Sequence, residues 1–331
     1  MSDSSMYEQL AEKIFLTGSS IIPELWKMIA DESEAELLLG LPGTAADLAS
    51  STGRDAAEVQ EALEGLYHKG VVFKSVKPEG VKYRLASSLV QFHDASILWP
   101  EAPQAYYDLW QRYMDEEWPS YAQVVMGMLP RPFTRVIPVE QSIEAKSRIL
   151  AFEDVRSLID NADQVAVTNC TCRLIAHKCD KPVEVCLQIG KAAAYTVDRG
   201  SGRAVSKEEA LEILRLSEEA GLVHVTMNRA GDSHFICNCC DDCCMSFTLL
   251  ISDAINLCDP SRFAAEVDAE SCTACGLCEE RCYFGALSLE DDGTARILAE
   301  KCMGCGLCQV ACPEKAISMV QVREEDFIPM V

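Results

Sequence analysis

The sequence predicts an α+β protein of several domains: a helical N-terminal module closed by a β-hairpin, a small cysteine-rich α/β domain, and a compact C-terminal domain built round repeated cysteine runs. Three observations carry this. The chain has 331 residues, more than one hydrophobic core usually serves. Its apolar periodicity is helical at first and then alternates in short stretches. Its 18 cysteines are unevenly placed, with none before residue 131, ten from 131 to 260 and eight beyond. The expected domains are therefore 1–130, 131–260 and 261–331.

Apolar residues at 49% and charged residues at 24% match an ordinary globular protein. No run approaches the roughly 18 consecutive apolar residues of a spanning helix, and MSDSSMYEQLAEKIF lacks the basic start and apolar stretch of a secretory leader. The expectation is a cytoplasmic protein with no membrane span. In that setting, cysteines grouped in C-x-x-C runs point to metal binding rather than to disulfides. A net charge of −23 repels nucleic acid and anionic lipid over a screening length of about 8–10 Å and favours basic partners.

Tyr7 to Phe15 and Ile21 to Leu39 read as helices, the second interrupted near Pro23. Thr44 to Ser51 is a short capped helix, Thr52-Gly53 a tight turn, and Arg54 to Lys69 a helix with Val59, Leu63 and Leu66 on one face. VVFKSV and VKYRLA, either side of Pro78-Glu79-Gly80, read as a β-hairpin. Helix, turn, helix, hairpin is the order of a winged-helix module, which residues 40–87 resemble. Such modules often bind DNA, yet Asp55, Glu58, Glu61 and Glu64 recur along the would-be recognition helix and would face phosphate with negative charge. Lys74, Lys77, Lys82 and Arg84 on the hairpin weigh less, so docking to protein is preferred. The aromatic segment Trp99, Tyr106, Tyr107, Trp110, Tyr113, Trp118 and Tyr121 is expected to pack helices against the next domain rather than to stack on bases or a flavin, and Pro130 and Pro132 mark a linker.

In the middle region RVIPVE (135–140) looks like a short strand, Phe152 to Asp160 a helix, and QVAVT (164–168) a buried strand running into Asn169-Cys170-Thr171-Cys172-Arg173. Cys179 and Cys186 follow, so four thiols fall within seventeen residues. A capped helix, Ser206 to Ala220, leads through Gly221 to a strand, Leu222 to Met227, and then to a loop holding Cys237, Cys239, Cys240, Cys243 and Cys244. The two cysteine loops are expected to converge on one edge of a small α/β domain. Nine thiols in two tight groups are candidate ligands of a further metal site. Iron–sulfur is favoured over zinc because the opening C-x-C is too short for a zinc knuckle. Cys258 reads as a small core hydrophobe, and His177, His224 and His234 as hydrogen-bonded or surface side chains rather than ligands.

The last region carries C-x2-C-x2-C-x3-C twice, from Cys272 and from Cys302. Three closely spaced thiolates wrap three corners of a cubane, and in two-cluster ferredoxins the fourth comes from the other run. Cluster one is thus assigned Cys272, Cys275, Cys278 and Cys312, and cluster two Cys302, Cys305, Cys308 and Cys282. Gly276, Gly304 and Gly306 suit tight loops that aim N–H groups at cluster sulfurs, and ALSLE, ARILA and AISMV read as strands of a pseudo-twofold β-α-β pair. Pro313 follows the second run, but Tyr283 stands at the matching place in the first. Its N–H, directed at a sulfur, would raise the potential of cluster two.

The tail resembles the bacterial-type ferredoxin domain with two [4Fe–4S] clusters. With the N-C-x-C-R and I-C-N-C-C segments before it, most of the chain resembles a broad group of multidomain iron–sulfur proteins of anaerobic microbes. The resemblance implies electron transport and brings no particular reaction with it. The leading expectation is an electron-transfer protein or subunit serving a flavoprotein or a larger iron–sulfur oxidoreductase, with a further Fe–S site in the central domain. The alternatives are an oxidoreductase with its active site at the central cysteines and a redox-sensing winged-helix regulator. Gly200-Ser-Gly202 is too short for a dinucleotide fingerprint, so no nicotinamide or flavin site is expected.

Overall fold

The fold is that of a computed structural model, which describes residues 5–78, 80–139, 154–231 and 233–330. The chain divides into two compact units, one of Met1–Pro119 with Leu174–Ala176 and Asp198–Gly202, the other of the remaining residues.

Helices α1 (Met6–Lys13), α2 (Ile22–Ile29), α3 (Glu32–Gly40), α4 (Ala45–Thr52) and α5 (Ala56–His68) precede a hairpin of β1 (Val72–Lys77) and β2 (Gly80–Leu85), and α6 (Leu89–Ile97) and α7 (Gln104–Glu116) follow it. The single helix expected over Ile21 to Leu39 is two. Pro23 lies in the first turn of α2, where its missing N–H has no intrahelical partner to lose. The break comes at Asp31, whose carboxylate accepts from the Glu34 N–H at 2.8 Å while Glu34 accepts from the Asp31 N–H at 3.0 Å, a capping box that starts α3 afresh. Thr44 and Asp47 cap α4 in the same way, and Gly53 ends it at φ +70°. Asp55 caps α5, which buries Val59, Leu63 and Leu66. In the hairpin Val72 faces Leu85 and Lys77 faces Gly80; Glu79, in the expected turn, lies outside the described residues.

Several rings of the aromatic segment pack on one another within the first unit. Trp26 stacks on Phe92 at 4.2 Å, Phe92 meets Trp110 at 5.2 Å, and Tyr106 and Tyr113 set their edges to Trp110. These rings, carried by α2, α6 and α7, are buried in the core of the first unit.

Further along the chain come α8 (Trp118–Met128), β3 (Thr134–Val136), α9 (Val155–Asp160), β4 (Val165–Asn169), α10 (Thr171–Ala176), β5 (Glu184–Ile189), α11 (Lys191–Arg199), β6 (Arg203–Val205), α12 (Lys207–Glu219), β7 (Val223–Met227), β8 (Phe235–Cys239), α13 (Phe247–Asp253) and β9 (Cys258–Asp259). Their strands form one sheet in the order β6-β4-β5-β8-β7-β3-β9, antiparallel except where β3 meets β9. The strand expected over 135–140 spans three residues, and its end at Glu140 lies outside the described residues. So does Phe152; α9 starts at Val155 with Asp154 as its cap. The second cysteine loop is in part a strand, since Cys237 and Cys239 belong to β8, where backbone pairing with β7 takes up their N–H and C=O groups.

The final elements are β10 (Phe263–Val267), α14 (Leu277–Glu280), β11 (Leu287–Leu289), β12 (Ala295–Ile297), α15 (Leu307–Ala311) and β13 (Ile317–Gln321). β11 pairs with β12 as expected from ALSLE and ARILA. β13, the AISMV strand, pairs with β10, a strand the sequence did not announce. One apolar core of this unit joins Val136, Val223, Val225 and Phe247 to Met303 and Leu307, and a second gathers Phe263, Leu287, Ile317 and Met319. Among the described residues no helix is long and apolar enough to cross a membrane.

Candidate metal centres

Each C-terminal cysteine run begins as a loop and ends as a short helix. Gly276 and Gly306 cap α14 and α15 at φ +79° and +82°, so the chain reverses at once and sets Cys278 and Cys308 on the first turn. Cys282, from the first run, lines one cavity with Cys302, Cys305 and Cys308 of the second, walled by Phe284, Leu287 and Met319. Cys312, from the second run, lies in the field of Cys278 of the first together with Cys275. Cys282 of the first run therefore stands with the trio of the second, and Cys312 of the second with Cys275 and Cys278 of the first. Burial, then the charges of Cys282 and Cys302, pushes the Cys305 thiol up to about 12; burial, then the charges of Cys305, Cys302 and Cys282, raises Cys308, and burial raises Cys278. A buried group of thiolates is stable only round a cation, and an iron–sulfur cluster fits this donor set. One sulfur also receives a backbone bond, from the Ala316 N–H to Cys312 at 3.3 Å.

Cys282 is held from both sides. Arg281 donates to the Glu218 carbonyl at 2.9 Å and to that of Glu219 at 2.6 Å, the last carbonyls of α12, and the Tyr283 hydroxyl donates to the Gly221 carbonyl at 2.6 Å. A Cβ on Gly221, whose φ is +77°, would lie 2.6 Å from the Tyr283 hydroxyl and 2.8 Å from an Arg281 guanidinium nitrogen, so a side chain there would push aside the two groups that dock the first run. The place usually held by proline thus carries a side chain that docks the run on the central sheet.

The nine central cysteines all come together there, in two groups. Cys170, at the end of β4, touches Cys172 and Cys186; Cys186, on β5, touches Cys237 on β8; and Cys239 links Cys237 to Cys244. Strand pairing makes this row, because Leu187 faces Ile236 and so sets the preceding Cys186 beside Cys237. Hydrogen bonds from Cys172 and Cys186 hold the Cys170 thiol well below its usual range, and the same kind of bond, from Cys170 and Cys237, drives Cys186 well above it. The second group is Cys179, Cys240, Cys243 and Asp242, whose donor atoms all lie within 4.8 Å of one another. Here a bond from Cys243, aided by Arg173, brings Cys240 down to about 6. Arg173, 2% exposed, separates the groups: its guanidinium donates to Cys240 Sγ at 3.3 Å and faces Cys170 and Cys186.

No histidine joins either group among the described residues. His224 is buried between Asn238 and Glu218, bonding Glu218 at 3.2 Å, while His177 and His234 are exposed. Cys258 is a core side chain beside Phe247, and burial raises its thiol. The sequence assigned no role at the metal centres to Arg173, Asp242, Arg281 or Gly221. The positive residue next to C-x-C and the acid between cysteine pairs were visible signals for the first two.

Residues 265–288 and 295–318 each match the family model of the 4Fe-4S binding domain. No curated protein matches the chain. The C-terminal part is an iron–sulfur region with the capacity for electron transfer.

Proposed function

We propose that the protein relays electrons between two [4Fe–4S] clusters, a further iron–sulfur centre in the central domain, and a redox partner. Cluster one takes Cys272, Cys275, Cys278 and Cys312, and cluster two Cys302, Cys305, Cys308 and Cys282. The further centre draws its ligands from the row Cys170, Cys172, Cys186, Cys237, Cys239 and Cys244. One observation carries the relay: Cys305 packs on the same apolar core as Cys237, Cys239 and Cys244, so cluster two and the thiol row share a water-poor wall. The N-terminal helices and hairpin, of winged-helix order, serve to dock protein. Lys74 on the hairpin is engaged by Glu64 at 3.1 Å and Asp198 at 3.0 Å, which leaves less positive charge for phosphate. A flavoprotein or larger iron–sulfur oxidoreductase with a cationic face suits the charge of −23.

The test is iron and acid-labile sulfide per chain after purification without oxygen, followed by a redox titration read by electron paramagnetic resonance. About eight irons belong to the tail, and about twelve with a third reducible centre are expected. Eight irons and two reducible centres would remove the central relay and leave a plain two-cluster carrier. A substrate-dependent turnover lost in Cys186→Ser would favour an oxidoreductase at the central thiols instead.

A further inference from the structure

Cys179, Cys240, Cys243 and Asp242 stand apart from the thiol row in geometry as well as in place. Cys179 Sγ and Cys243 Sγ are 3.7 Å apart. Ligands at about 2.3 Å round one tetrahedral ion are separated by about 3.8 Å, whereas thiolates on a cubane bind separate irons and stand farther apart. The fourth donor is a carboxylate whose Oδ1 is buried with no hydrogen-bond partner, a cost that a cation removes. The surroundings supply what a metal thiolate site requires outside its ligands: the Arg173 guanidinium bonds Cys240 Sγ, and Lys181, paired to Asp241 at 3.0 Å, adds positive charge beside Asp242. Three sulfurs and one oxygen close the coordination, which is the pattern of a structural ion rather than of one that turns over substrate.

We propose that Cys179, Cys240, Cys243 and Asp242 bind a single thiophilic divalent cation, zinc or ferrous iron. The ion clips the loop after α10 to the turn after β8, next to the proposed iron–sulfur row but independent of it.

The experiment compares iron, zinc and acid-labile sulfide in the full chain, purified without oxygen, for the wild type, Cys179→Ser and Cys243→Ser. Each variant is expected to lose about one metal ion while its sulfide stays constant, because a lone ion brings no inorganic sulfide. The metal that disappears identifies the ion. Sulfide that falls together with iron places these thiols on a cluster and overturns the proposal, as does unchanged metal content. Should both serine variants fail to fold, Asp242→Cys supplies a fourth thiolate and is expected to release the ion to EDTA more slowly than the wild type; equal or faster release overturns it. Cys186→Ser separates this site from the relay: loss of iron and sulfide together there concerns the row, and the lone ion is expected to remain.

Discussion

Gly304 and Ala274 hold the same place in the two cysteine runs, just before the second cysteine, and both take the left-handed backbone region, at φ +66° and +58°. A Cβ on Gly304 would run into the Phe263 carbonyl and Ser261 Oγ, backbone and a buried hydroxyl that cannot swing away. Gly304→Ala is therefore expected to displace the loop between Cys302 and Cys305, with loss of about four irons per chain by colorimetric assay. Ala274 already bears a Cβ at positive φ, a strain of about 1 kcal/mol, so Ala274→Gly is expected to leave iron unchanged and to stabilise the tail by up to that amount in denaturant titration. Tyr283→Phe removes the bond to Gly221 and the one received from Lys181 at 3.2 Å. A cost of about 1 kcal/mol is expected by the same titration.

At the scale of elements, the parts legible in the sequence are those whose signals are local. The capped start at Thr44, the spacing of Val59, Leu63 and Leu66, and alternation about a Pro-x-Gly turn each announce an element within a few residues, and α4, α5 and the hairpin lie where expected. The helix α10 was hidden because Cys170 caps it without a side-chain bond and its six residues are too few for periodicity, and α13 likewise has no side-chain cap. β10 was hidden because its partner β13 lies some fifty residues on, and pairing at that distance leaves no local trace. The cysteines were legible as ligands in kind but not in grouping: Cys179 leaves Cys170, Cys172 and Cys186 to meet Cys243, 64 positions on, and a contact at that distance leaves no local trace. The α4 cap gives a control that touches no thiol. Thr44→Ala is expected to cost about 1 kcal/mol of stability in the first unit, read by loss of helical circular dichroism in urea, with metal content unchanged.

For the whole molecule, charge decides which partners can approach. With 52 acidic against 29 basic residues, and with Glu58 and Glu61 exposed along α5, the proposed relay is expected to attract a redox protein with a cationic face from beyond contact range and to disfavour phosphate and anionic lipid. The attraction is long-range only at low salt, since the screening length shrinks from about 30 Å at 0.01 M to about 3 Å at 1 M. Cytochrome c, a cationic haem protein, is a suitable acceptor for measuring this, whatever the natural partner. Its reduction by the dithionite-free, pre-reduced protein in stopped flow is expected to slow at least tenfold between 0.01 M and 0.5 M salt. Glu58→Lys with Glu61→Lys tests whether α5 belongs to the docking face: a shallower salt dependence with unchanged cluster spectra places it there. A dependence as steep as in the wild type assigns docking to another acidic surface, and a rate independent of salt would remove electrostatic docking altogether.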